Sequence, residues 1–84
     1  MTRGRGAAAI AKRSVTISGH ATSVSLEEPF WTSLARIARA EGISTAALLR
    51  RIDASRPERD ASPSNLSSAI RVFVLRWMAA KAGF

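Results

Sequence analysis

The sequence predicts a mainly α-helical chain with a short N-terminal β-hairpin, assembled as an intertwined homodimer with a third, C-terminal helix. Three observations lead there. Between Arg13 and Leu26 apolar and polar residues alternate with a period of two, the mark of half-buried strands. From Pro29 onward apolar residues recur at helical spacing in three segments. The last segment is apolar around nearly its whole circumference, and such a helix has to be buried on more than one side.

Size points the same way. A chain of 84 residues is one small domain, and a lone core of that size is marginal without a disulfide, a metal or a partner chain. There is no Cys and only one His, which excludes disulfides and thiolate zinc sites. Self-association is therefore the expected source of stability. Thirteen Lys and Arg against six Asp and Glu give a net charge of +7, which points to an anionic partner, nucleic acid ahead of a membrane surface. No run approaches the ~20 apolar residues of a membrane span. The short apolar run Ala7 to Ala11 is too weak for a secretory signal, so a bacterial cytoplasmic protein is expected.

The elements follow in order. Residues 1–11 read as a flexible basic arm and residues 12–82 as a single domain. Val15 and Ile17 alternate with Ser14, Thr16 and Ser18; Thr22, Val24 and Leu26 alternate with Ser23 and Ser25. The Gly19-His20 break between them suggests a hairpin. Ser25 or Glu27 can cap the first helix, Glu28 suits its positive end and Pro29 its first turn. Phe30, Leu34, Ile37 and Ala38 form its stripe, widened by Trp31, and Gly42 is a natural stop. Ser44 or Thr45 caps a short second helix carrying Leu48, Leu49 and Ile52, ending near Ala54. Ser55 to Pro63 reads as a loop. Ser64 or Asn65 then caps a third helix to about Lys81, with Leu66, Ile70, Phe73 and Trp77 along one stripe.

This order resembles the ribbon-helix-helix family of bacterial DNA-binding proteins. The resemblance rests on Thr22-Ser23-Val24-Ser25-Leu26, the Phe30/Leu34/Ile37 stripe, and Gly42-Ile43-Ser44-Thr45 leading into Leu48 and Leu49. It spans roughly Ala21 to Ala54. The upstream strand and third helix are similar to those of a bacterial subgroup with these additions. The resemblance implies a homodimer whose paired strands enter the DNA major groove, acting as a transcriptional regulator. Carried over, Ser23 and Ser25 face the bases, while Val24 and Leu26 lie in the core. Ser44 and Thr45 at the second helix N-terminus hold a phosphate, with Arg50 and Arg51 as further phosphate contacts. The arm and first strand add Arg3, Arg5, Lys12 and Arg13 as sequence-independent contacts. Phe30, Trp31, Leu34, Ile37, Leu48, Leu49, Ile70, Phe73 and Trp77 complete the core or dimer interface.

Two features qualify the chemistry. Serine hydroxyls both donate and accept, so a serine ribbon discriminates bases poorly compared with Arg, Lys, Asn or Gln. A first strand lying beside the ribbon would also widen the sheet beyond two strands. The alternative reading is a dimer of the same fold that binds a protein partner instead of DNA. His20 has no carboxylate nearby in sequence before Glu27, so a catalytic constellation is missing and it reads as a turn or polar contact. No enzyme activity, cofactor or metal is expected. Trp31 and Trp77 lie on apolar stripes and read as packing residues.

Overall fold

The computed structural model describes residues 9–56 and 63–83. Ile10–Ile17 (β1) and His20–Glu27 (β2) pair antiparallel, with Ile17 opposite His20 and Ile10 opposite Glu27. Between them Ser18 and Gly19 both have positive φ, 52° and 80°. That is the backbone of a two-residue type I′ turn, whose twist matches the strands it joins. Order begins earlier than the alternation suggests. Ile10 and Ala11 belong to β1 and not to the basic arm, because the Glu28 amide donates to the Ala9 carbonyl at 2.8 Å. The Trp31 indole N–H also donates to the Ala11 carbonyl at 2.9 Å. Residues 1–8 of the arm lie outside the described residues.

Glu28–Glu41 (α1) follows β2 directly. Glu27 sits at its N-cap with no side-chain cap bond, and Ser25 stays within the strand. Gly42 closes α1 at φ 74°, its amide donating to Arg39 and the Ile43 amide to Ala38, the Schellman pattern. Thr45–Ala54 (α2) is capped by Ser44, whose hydroxyl accepts the Ala47 amide at 3.0 Å. The third helix, α3, runs Pro63–Ala82. It starts before Ser64 and Asn65, with proline at its first position, where a missing N–H costs nothing. The loop expected from Ser55 is described only as far as Arg56.

One core joins all five elements. Ile17, Val24 and Leu26 from the hairpin meet Trp31, Leu34 and Ile37 of α1, Leu48, Leu49 and Ile52 of α2, and Leu66, Ile70 and Val74 of α3. Phe30, Phe73 and Trp77 pack partly buried against it. Burying a side chain of this size contributes about 1.5–3 kcal/mol, and α3 brings three of them. The two-helix unit therefore does not leave its apolar faces bare within the chain, because α3 covers them.

Candidate nucleic-acid interface

Pairing in the hairpin sorts side chains onto two faces, since directly opposed residues share one. Ala11, Val15, Ile17, Thr22, Val24 and Leu26 face the helices, all buried or half-buried. The opposite face carries Lys12 beside Ser25, Ser14 beside Ser23 and Thr16 beside Ala21. All are exposed except half-buried Ser25. A strip of hydroxyls and one ammonium, with exposed Ile10 at its end, thus looks away from the core.

The edge of β2 away from β1 is the second component. The Glu28-to-Ala9 bond and the two-residue turn fix the phase of the ladder. Ala21, Ser23, Ser25 and Glu27 consequently aim their backbone groups outward. At the end nearest α1, α3 fastens this edge. The Ser67 hydroxyl, in a residue only 8% exposed, donates to the Ser25 carbonyl at 3.0 Å. Arg71 Nε donates to Glu27 Oε1 at 3.0 Å, and the guanidinium lies 5.8 Å from the Phe30 ring centre. Glu27's own amide and the Arg71 hydrogen bond hold its carboxyl below the usual range. Toward Ala21 and Ser23, both exposed, no described residue covers the edge.

The other residues singled out from sequence are spread over several surfaces. Arg13 is on the helix-facing side, 4.8 Å over the Trp31 ring and 3.5 Å from Glu28, so it does not share Lys12's face. Ser44 is exposed at the α2 N-terminus with Thr45 half-buried beside it. Arg50 is exposed, and Arg51 pairs with Glu41 at 3.5 Å. His20 is exposed beside the turn. Arg3 and Arg5 lie outside the described residues. Trp77 is half-buried, its indole N–H donating to Glu41 at 3.3 Å.

Ser14 and Thr16 join the outward strip through the same alternation that marked Val15 and Ile17. Ser67 and Arg71 lie in the Asn65-to-Arg71 stretch that resembles the family subgroup, but nothing in the sequence tied them to the β2 edge, because their partners are 42 and 44 residues away. Among the described residues no group of three His, Cys, Asp or Glu could hold a metal, and no helix is long and apolar enough to cross a membrane.

A hairpin with a polar outer face, followed by helix, glycine turn and serine-capped helix, defines a class. The chain belongs to the ribbon-helix-helix domain family, whose model matches residues 10–78. Members typically form dimers and are DNA-binding regulators, and the fold is regulatory, not enzymatic. Among solved structures the chain is similar to an uncharacterized protein from Bordetella pertussis Tohama I, with TM-score 0.80 and 30% identity. That match covers 96% of this chain and 65% of the neighbour, so the chain spans just under two thirds of that protein's length. No curated protein matches the chain.

Proposed function

We propose that the protein is a homodimeric DNA-binding regulator that reaches nucleic acid through the outer face of its hairpin. The observation that carries this is the segregation of the hairpin in a member of this family. Lys12, Ser14, Thr16 and Ser23 are exposed on one face, while Val24 and Leu26 on the other are wholly buried. In this reading the uncovered edge of β2 pairs with the same edge of a second copy. Ser23 and Ser25 then face the bases. Lys12, Arg50, Arg51 and the α2 N-terminus at Ser44 and Thr45 contact phosphates, Arg3 and Arg5 add sequence-independent contacts, and Arg13 joins them only on leaving Glu28 and the Trp31 ring. Short hydroxyl side chains read sequence weakly, so affinity rests mainly on phosphate contacts and falls steeply with salt.

A mobility-shift titration tests this. Binding to duplex DNA at ~50 mM salt is expected, with a log–log salt slope counting several phosphates. Absence of binding to any duplex by the intact dimer overturns the reading. Lys12→Ala and Arg50→Ala should each flatten the slope by about one. Ser23→Ala/Ser25→Ala should lower affinity for the preferred site by about threefold to tenfold while leaving non-specific binding unchanged. One observation favours a second reading. β1 lies flush against β2, so a ribbon dimer presents four strands, broad for a groove of ~12 Å. The same outer face on a dimer that binds no DNA would suit a protein partner.

A further inference from the structure

A groove of about 810 Å³ runs between the end of α2 and α3. Its floor is apolar, formed by Ile52 from α2 and by Ala69, Val72, Phe73 and Trp77 from α3. The α3 residues recur every three or four positions, so a single helix face supplies them. A recess of this size, mostly apolar with a few polar groups, is typical of small-molecule sites, and gaps between packed helices are a common place for them. The polar groups decide what it would hold. Two charged residues line it, Arg56 and Arg76, and no acid does. Arg56 is already engaged, its Nη2 and Nε donating to Asp53 Oδ1 at 2.6 and 3.2 Å. The Ser55 hydroxyl is engaged too, donating to the Ile52 carbonyl at 2.7 Å. Past Trp77, Glu41 accepts the indole N–H and pairs with Arg51, while Lys81 stacks over the ring. None of these three lines the groove. Arg76 differs. It is exposed, makes no ion pair or ring contact among the described residues, and stands one turn from Val72 and Phe73.

We propose that this groove binds a small amphipathic monoanion, a carboxylate carried on an acyl or aryl body. The carboxylate pairs with Arg76, and the body lies over Val72, Phe73 and Trp77. Charge selects the occupant. One uncommitted guanidinium matches one negative charge, and its fork of N–H donors suits the two oxygens of a carboxylate. A polyacidic segment of another protein would bring several carboxylates to a groove with one partner for them, leaving the rest unpaired against apolar surface. A neutral apolar molecule would partly cover Arg76 and leave it unpaired. The groove shares no residue with the outer strip of the hairpin or with the α2 N-terminus. Its ligand is therefore independent of the nucleic-acid reading above.

Calorimetric titration and amide NMR of the full chain, without DNA, test this. The probes are decanoate and 2-naphthoate, each set against its neutral counterpart, decanol and 2-naphthol. Each acid should bind about fivefold more tightly than its alcohol at neutral pH, the worth of one well-placed ion pair at an exposed arginine. The tighter of the two acids tells an acyl body from an aryl one. Shifts should concentrate on Val72, Phe73, Arg76 and the Trp77 indole N–H. Arg76→Gln should abolish the preference for acid over alcohol and leave the alcohols' affinity unchanged. Val72→Glu, at a position 46% exposed, sets a carboxylate one turn before Arg76 and should abolish the preference as well. Far-UV circular dichroism confirms that both variants fold. No saturable binding of either acid, equal affinity for acid and alcohol, a preference that survives Arg76→Gln, or shifts centred elsewhere overturns the proposal. Tighter binding of a hexaglutamate peptide than of either acid overturns it too, and assigns the groove to an acidic chain.

Discussion

The hairpin and α3 each have two faces, and they divide them differently. In the hairpin the inward apolar residues are buried or half-buried, against an outward strip of Lys12, Ser14, Thr16 and Ser23 that is exposed. In α3 both sides carry apolar residues, and the described residues cover only the one carrying Leu66, Ile70 and Val74. A polar outer face is finished toward water or an anion. An apolar outer face is unfinished. The contrast separates a polar surface from an apolar one, although both sit on the same small core.

Removing the inward side of either element should have the largest effect. Leu26→Ala or Ile70→Ala, each at a fully buried position, should lower unfolding free energy by about 2–5 kcal/mol, measured by urea titration. Leu75→Ala, on the exposed side of α3, should change it by no more than about 0.5 kcal/mol. Equal losses at the two positions would erase the distinction between the faces.

Smaller effects probe how the elements are held in place. Ser44→Ala removes the hydroxyl that accepts the Ala47 amide and should cost about 1 kcal/mol. Ser18→Asn at the turn, where φ is 52°, should raise stability by roughly 0.5–1 kcal/mol, because asparagine tolerates the left-handed region that serine resists. A drop instead would show that the Ser18 hydroxyl matters beyond its backbone.

The smallest effect is one of pH. Glu27 is held below its ordinary value of 4.5 by its own amide and by Arg71. A depressed carboxyl stabilises the fold above its unfolded pKa, and that contribution disappears as pH falls through the lower folded value. Stability followed from pH 6 to pH 3 should therefore fall less steeply in Glu27→Gln than in the wild type. Identical slopes would mean that the Arg71 tie does not anchor α3 to the β2 edge.

Much of this was legible from local pattern. Alternation from Val15 to Leu26 placed the hairpin and chose which side of it is buried. Gly42 and Ser44 marked the end of one helix and the start of the next through chemistry confined to a single turn. The resemblance carried by residues 21–54 already implied the family. The beginning of β1 was not legible, since Ala9 and Ala11 carry no alternation and are held by bonds from Glu28 and Trp31. Nor was the start of α3, where proline serves as the first helical residue.

The candidate interface divides the same way. Period two put Ser23 on the face opposite Val24 and Leu26, and the strand register added Lys12 to it. Period two could not show that Arg13 folds over Trp31, that Arg51 turns to Glu41, or that Ser67 and Arg71 reach the β2 edge. Sequence by itself determined what one turn or one strand can decide: element type, caps, and the side each residue faces. Tertiary structure decided which arginines are engaged, which strand edge stays uncovered, and which of α3's two apolar sides enters the core. Those outcomes depend on contacts between different elements, from 10 positions apart for Arg51 and Glu41 to 44 for Arg71 and Glu27, and only packing of the whole chain sets them.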